Sequence, residues 1–359
     1  NKKTEFINFK DTRNIFASLS ANYYKNKPKN IVAVTGTNGK TSVADFYYQI
    51  FKLQNIKSGF IGTLGFRKNK LLKKRNLTTL DSLTLNKDLN EMSRRNINNV
   101  IIEASSHGLK QKRINFLKLK AGIFTNLSHD HLDYHSNMRD YLESKLLLFN
   151  DLLEKGKTVI TDSDIMQFKN IKKIQEKRKL KLLTIGSKGN TFKILSHKIF
   201  ENYQFLEIRY KNKIYKLKIN LYGTIQIKNL LMAILAAKVC GLKIEKIFNK
   251  INKIQSVEGR LHLIKTLPNK SKVFLDYAHT PEALEKAIIS LREHFHKKIT
   301  ILFGCGGERD KTKRRLMGQV AKKYCDKIYI TDDNPRKENA KKIRKEIMKV
   351  LKKSSAKEI

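Results

Sequence analysis

The sequence predicts an α/β protein with a mostly parallel sheet, a small antiparallel insertion and a second α/β domain after them. Three observations carry this. Short apolar runs alternate with helical patterns from Asn30 onward. That rhythm changes between Phe192 and Leu221, with apolar/charged alternation at 206–210 and 215–219. A second strand–helix series then begins near Lys272.

In chain order, "NIVAVTG" reads as a buried strand and Thr41 to Gln54 as a helix with Phe46, Ile50 and Leu53 inward. "SGFIGT", "NVIIEAS" and "AGIFTNL" follow as further apolar strands separated by helices. Near-continuous apolar strands joined through helices imply parallel pairing with both faces of the sheet covered. In the insertion, Leu206, Ile208 and Tyr210 alternate with Glu207 and Arg209; after "KNK", Tyr215, Leu217 and Ile219 alternate with Lys216 and Lys218. That period of two is a hairpin. "IKNLLMAILAAKVCG" reads as a helix closed by Gly241. The second series has strands "KVFLDYA", "ITILFGCGG" and "KIYITDD", each followed by a helix, the first starting at Pro281. The polar stretch "KTLPNKSK", with Pro268, is expected as the boundary. The expected domains are an N-terminal segment at 1–29, a central domain at 30–266 and a C-terminal domain at 267–359.

A chain of 359 residues has room for two or three cores. No apolar run is long enough to cross a membrane, and the first residues lack a signal-peptide core. Three scattered cysteines exclude a disulfide framework and fit a reducing cytoplasm. The formal charge of +43 resembles a nucleic-acid signature, but the lysines run evenly along the chain beside abundant Asn and Ile. Even spreading points to compositional bias, so nucleic-acid binding is set aside as the main function.

The chemistry concentrates in a few motifs. In "VAVTGTNGKTS", a strand ends at Thr35, Gly36 and Gly39 permit tight turns, and a helix starts near Lys40. Backbone N–H groups and a helix N-terminus then converge on one spot suited to a polyphosphate. Lys40 adds positive charge, and the Thr41 hydroxyl can hold Mg²⁺. The first glycine of the general G-x-x-x-x-G-K-[ST] pattern is replaced by Val34. Glu103 ends the strand of "IIEASSHGLKQKR", where open α/β sheets place ligands; it is either a second Mg²⁺ ligand or a strand-end cap. "FTNLSHDHLDYH" gathers His129, Asp130, His131, Asp133 and His135. One imidazole on Mg²⁺ is expected there rather than zinc, because successive turn residues point apart and no cysteine is near. In "MRDYLESKLLLF", Tyr141 and Lys145 share a helix face, and taken alone Lys145 reads as a solvated lysine.

These motifs, with "TTLDSL", "DYAHTPEALEKA", "FGCGGERDKTKRRLMG" and "TDDNPR", resemble the Mur ligases of peptidoglycan synthesis, in order from about Asp11 to the C-terminus. The resemblance implies a P-loop-type central domain and a Rossmann-like C-terminal domain. It also implies an ATP- and Mg²⁺-dependent amide ligase that works through an acyl phosphate. Its shortened loop, Gly36, Thr37, Asn38, Gly39, Lys40, Thr41 and Ser42, accounts for the missing glycine. Thr78, Thr79, Ser105, Gln111 and Arg113 match residues holding a UDP-N-acetylmuramoyl-dipeptide. Glu103 and His131 match Mg²⁺ ligands. Lys145 matches a lysine carbamylated by CO₂, which reverses its solvated reading. Asn229, Arg260 and Asp276 match nucleotide contacts. Asp333, Asn334 and Arg336 of "DDNPR", with Arg309, resemble the meso-diaminopimelate version of the incoming amino-acid pocket. Physically, a guanidinium suits the extra carboxylate, although "DNPR" alone reads as a turn. Lysine-adding relatives and folylpolyglutamate synthetases are the alternative branches. A monomer without membrane insertion is expected.

The family pattern is not matched everywhere. Gln226 stands at an adenine-side asparagine, Leu80 at a proline and His129 at an arginine. Only "DTRNIFASLSANYY" resembles the family's uridine-binding module, and its "GKGHE" segment is not found. The expectation is a truncated chain with its central chemistry intact and less than full ligase activity.

Overall fold

A computed structural model describes residues 8–68, 71–73, 77–351 and 356–359. Residues 1–7 of the expected N-terminal segment lie outside the described residues. Helix α1 (Thr12–Tyr23) is capped by the Asp11 carboxylate, which accepts from the Asn14 amide. Strand β1 (Asn30–Thr35) is buried throughout, and Gly39 at φ +88° turns the chain into α2 (Lys40–Leu53). Phe46 and Ile50 of α2 are core residues as expected, whereas Leu53, its last residue, is only half-buried. Next come β2 (Ser58–Gly62), β3 (Gly65–Lys68), β4 (Leu71–Lys73), α3 (Ser82–Arg94), β5 (Asn99–Glu103), α4 (Ser106–Lys110) and β6 (Ala121–Phe124). Helix α5 (Met138–Leu147) runs into a π-helical turn at Leu148–Leu152. The chain continues through β7 (Thr158–Asp162), α6 (Phe168–Arg178), β8 (Lys181–Gly186), β9 (Phe192–Ile199), β10 (Gln204–Tyr210) and β11 (Lys213–Ile219). Then follow α7 (Thr224–Val239), α8 (Ile244–Phe248), β12 (His262–Thr266), β13 (Lys272–Leu275), α9 (Pro281–Phe295), β14 (Thr300–Phe303), α10 (Thr312–Tyr324), β15 (Lys327–Ile330), α11 (Ala340–Met348) and β16 (Ala356–Glu358).

Two compact units interleave along the sequence. The first comprises Asn1–Asn126, Leu142–Phe192 and Asn229–Asn249; the second comprises Leu127–Tyr141, Lys193–Lys228 and Lys250–Ile359. In the first, the strand order is β8-β7-β6-β1-β5-β2-β3-β4. The strands from β8 to β2 pair in parallel, and β3 and β4 add an antiparallel edge. Every residue of β1, β5, β6 and β7 is buried, which is why their sequences are apolar without alternation. The register sets Val34 beside Glu103 and Thr35 beside Phe124. The carboxyl ends of β5, β1 and β6 therefore meet in a row, where parallel sheets present their ligand crevice.

In the second unit, β10 and β11 form the expected hairpin, with Leu206 opposite Leu217 and Ile208 opposite Tyr215. Strand β9, not anticipated from the sequence, is the next neighbour of β10. Strands β14, β15 and β16 are parallel, and Leu284, Ile288, Phe303, Met317, Ile328, Ile330, Ile343 and Ile347 make the core beside them. Strand β13 differs from expectation. It pairs antiparallel with β12, and the polar stretch read as a linker is the turn between them, closed by Leu267 N to Ser271 O at 2.8 Å. His294, at the end of α9, binds two backbone groups. Its Nε2 accepts from Gly223 N at 3.0 Å, so Nδ1 carries the proton and donates to Phe200 O at 2.7 Å. Tyr222, Phe274 and Phe295 surround it as an aromatic cluster.

Candidate active site

The loop between β1 and α2 is fixed from several sides. Asn126 holds it with three contacts: its carbonyl accepts from Thr37 N, its Oδ1 accepts from Asn38 N, and its Nδ2 donates to Asn38 O. Thr125 Oγ1 donates to Asn38 O at 2.6 Å. The glycines are required by close approach as well as by conformation. A Cβ on Gly36, at φ +141°, would lie 1.9 Å from Thr125 Oγ1. On Gly39 it would lie 2.5 Å from Oδ1 of the buried Asn229. Asn229 thus stands against the loop's last turn. Lys40 donates to Gly36 O and Thr37 O, each at 2.8 Å, which draws its ammonium over the loop. Thr41 and Ser42, in the first turn of α2, are buried.

Glu103 is 1% exposed, yet it is surrounded by donors. Thr41 Oγ1 donates to Oε2 at 3.2 Å, Thr63 N to Oε1 at 2.9 Å and Thr63 Oγ1 to Oε2 at 3.1 Å. The Glu103 oxygens are engaged by Thr41 and Thr63, whereas a helix cap would turn them to α4. Ser105 fills that role, accepting from Gly108 N at 3.1 Å. Gly62 is also forced, since a Cβ there would meet Glu103 Oε1 at 2.1 Å. Two oxygens of different residues, Thr41 and Glu103, sit together at the phosphate end of the loop. That donor set suits a hard divalent cation such as Mg²⁺.

Lys145 corrects the solvated reading: it is 1% exposed and donates to Gly36 O at 2.8 Å. Burying an ammonium without partners is prohibitive, and the loop carbonyl of Gly36, 109 residues away in sequence, supplies one acceptor. Tyr141, on the same helix, is buried too.

The five residues matched to a muramoyl substrate form one chain of contacts in the first unit. Thr63 Oγ1 and Thr78 Oγ1 are 3.1 Å apart. Thr79 Oγ1 bonds Glu103 O, Ser105 N and Ser105 Oγ. Arg113 Nη1 donates to Thr79 O at 2.6 Å, and its Nε and Nη2 both reach Gln111 Oε1.

The remaining predicted residues belong to the second unit. Asp276 accepts from Leu261 N and Ala278 N at 2.7 and 2.8 Å; burial raises its pKa, opposed by these bonds and by Arg260. The Arg260 guanidinium lies 4.8 Å from the centroid of the Tyr277 ring. His131, at φ +55°, has Nε2 3.5 Å from Asp130 Oδ2, and His279 Nε2 is 3.6 Å from the same oxygen. Burial works against ionisation of Asp130, but the contact with His279 and the charges of both imidazoles outweigh it and hold its carboxyl well below the usual range. Arg309 Nη1 is 3.6 Å from Asp133. Arg336, exposed and at φ +51°, donates to Gly307 O at 2.6 Å, and Gly307 N donates to Asn334 O at 2.9 Å. Asp333 and Asn334 are exposed in the same turn. Among the described residues, no three His, Cys, Asp or Glu side chains are grouped so that they could hold a metal ion.

Fold and loop together define a polyphosphate-binding α/β protein with a carboxylate set beside its Lys-Thr pair. Residues 34–237 match the Mur ligase middle domain and residues 259–358 the Mur ligase glutamate ligase domain, and the chain belongs to this family. It is 41% identical over 332 residues to the UDP-N-acetylmuramoyl-L-alanyl-D-glutamate–2,6-diaminopimelate ligase of Rickettsia bellii, covering 91% of this chain and 69% of that protein. The enzyme of the same name from Brucella melitensis is 37% identical over 340 residues, covering 94% and 69%. Among solved structures, a diaminopimelate ligase of this name superposes with a TM-score of 0.71 at 28% identity, covering 97% of this chain and 72% of the other. A Mycobacterium tuberculosis folylpolyglutamate synthase complexed with ADP gives 0.79 at 14% identity, covering 99% and 85%, a likeness of fold.

Sequence reasoning passed over Thr63, Asn126 and Arg314. Thr63 and Asn126 each sit one or two residues past the end of an apolar strand, in "FIGT" and "IFTN", and that position was the available signal.

Proposed function

We propose that the chain is an ATP-dependent ligase that adds meso-2,6-diaminopimelate to the D-Glu of UDP-N-acetylmuramoyl-L-Ala-D-Glu. The observation that carries this reading is the 41% identity, over 91% of the chain, to the Rickettsia bellii diaminopimelate ligase. In the proposed reaction, the D-Glu γ-carboxylate attacks the γ-phosphorus of ATP, the bond to ADP breaks and an acyl phosphate forms. The diaminopimelate amine then attacks the acyl carbon, phosphate leaves, and the amine loses a proton.

The loop residues Gly36 to Ser42 orient the phosphates with backbone N–H groups, and Lys40 offsets their charge. Asn229, Arg260 and Asp276 complete the nucleotide site. Thr41, Glu103, His131 and a carbamylated Lys145 would hold Mg²⁺, which would supply further charge neutralisation for phosphoryl transfer. Thr78, Thr79, Ser105, Gln111 and Arg113 position the UDP-linked dipeptide. Arg309, Asp333, Asn334 and Arg336 receive the amino acid, an arginine fork matching its distal carboxylate. In this division, residues 30–266 carry the phosphoryl chemistry and 267–359 the incoming amine. The protein acts as a single copy in the cytoplasm. Among the described residues no helix is long and apolar enough to cross a membrane.

The test is phosphate release from ATP with the UDP-linked dipeptide and either meso-diaminopimelate or L-lysine. Release is expected with meso-diaminopimelate alone and is abolished by Lys40→Ala. Equal stimulation by L-lysine would move the chain to the lysine-adding branch.

A further inference from the structure

Arg314 is the largest fully buried side chain among the described residues, and no role has been given to it so far. It sits in the first turn of α10, three residues into the helix, where a cation is disfavoured by the helix dipole. Two carboxylates offset this. Arg314 Nη2 lies 2.9 Å from Glu338 Oε1, and Nη1 lies 2.8 Å from Glu346 Oε2 on α11. Apolar side chains at all three of these positions would often serve stability as well as the ion triad does. The buried charge therefore needs a reason beyond holding two helices together.

The reason lies in what Glu338 does with the same oxygen. Oε1 also accepts from Glu308 N at 2.5 Å, while Arg314 Nη2 lies 3.5 Å from Gly306 O. Glu338 follows the Asp333–Arg336 turn by two residues, and Glu308 precedes Arg309. The two segments are also joined through Arg336 Nη1 to Gly307 O and Gly307 N to Asn334 O. There is no slack between them: a Cβ on Gly307 would come within 1.9 Å of Pro335 O. The arginine fork thus grips one segment by a carbonyl and the other by a carboxylate that caps the first. Glu338 responds as a strong acceptor, its carboxyl lowered to about 2 chiefly by the hydrogen bond from Arg314.

We infer that Arg314, acting through Glu338, is a positioning residue for amino-acid selection, fixing Arg309 and Arg336 at one separation. This rests on the proposed function, in which those two arginines meet the incoming amino acid. It predicts that weakening the Arg314–Glu338 link loosens amino-acid binding while leaving nucleotide binding intact.

Equilibrium dialysis of the full chain, with the UDP-linked dipeptide present, measures Kd for labelled meso-diaminopimelate, L-lysine and ADP. Glu338→Gln keeps the side chain's shape and an acceptor for Glu308 N but removes the charge. It is expected to weaken meso-diaminopimelate about tenfold, the scale of one charge-assisted hydrogen bond. ADP affinity should stay within about twofold, with the variant still folded by circular dichroism at the assay temperature. Arg314→Lys should act in the same direction. Should it fail to fold, Glu338→Gln carries the test alone. Unchanged meso-diaminopimelate affinity in folded Glu338→Gln, or a parallel loss of ADP binding, overturns the inference. A wild type that prefers L-lysine overturns the functional reading instead, and the positioning role is then judged on the lysine Kd of the same variants. If neither amino acid binds the wild type, both fall.

Discussion

The first unit's β1–α2 loop and the second unit's arginine turn are held by opposite means. Around Gly36–Ser42 the determinants are backbone: strand ends in register, a helix N-terminus, and glycines pressed within 2.5 Å of what a Cβ would occupy. Around Arg309 and Arg336 they are side chains, with a buried guanidinium and its carboxylates bracing two turns. A backbone site tolerates no added atom, whereas a side-chain site can be detuned by degrees. Under the proposed assignment, this would suit a nucleotide that never varies and an amino acid that must be told from close analogues.

Three changes would break or sharpen this contrast. The largest effect is expected from Gly36→Ala. Its methyl would overlap Thr125 Oγ1 and sit at φ +141°. Left-handed strain and overpacking together should cost about 3 kcal/mol of stability. ADP binding should be lost, as read by calorimetry and thermal melting. A variant binding ADP normally would show that the loop is far less constrained than its contacts indicate. Next is Arg336→Lys. An ammonium cannot reproduce a fork, so preference for meso-diaminopimelate over L-lysine should fall by roughly 10-fold or more, with ATP dependence unchanged. Equal loss for both amino acids would deny Arg336 a part in discrimination.

The smallest effect concerns His294, at the end of α9. Burial lowers its pKa, and as a neutral ring it accepts from Gly223 N. A folded-state pKa below the unfolded one means protonation favours unfolding. Its contribution is therefore full above the unfolded pKa and is lost as pH falls through the folded value. Denaturant titrations at several pH values should show stability declining on the acid side of neutrality. His294→Gln, which cannot titrate, should flatten that slope, and an unaltered slope would remove the assignment.

Much of the nucleotide site was legible because local sequence determines it. Two glycines, a Lys-Thr pair and an apolar strand specify a turn wherever they occur. Lys145 was not legible in the same way, because its burial depends on a carbonyl 109 residues away. The resemblance, not the residue pattern, reversed its reading. The "KTLPNKSK" stretch misled for a related reason. Polarity and Pro268 are shared by linkers and hairpin turns, and only the pairing of β12 with β13 separates the two. Arg314 was hidden inside a run of basic residues, where nothing in "KTKRR" tells the buried one from its solvated neighbours.

Strand β11 gives the lysine surplus a different meaning. It ends the strand order, with Lys213, Lys216 and Lys218 all exposed along it. An open strand edge is a template on which a second molecule can extend the sheet. Two such edges meeting here would bring like charges into contact over about the 8 Å that physiological salt leaves unscreened. Spread over a chain of formal charge +43, repulsion of the same sign works against such edge pairing. The bias that obscures function in the composition thus places a like-charge penalty on this edge.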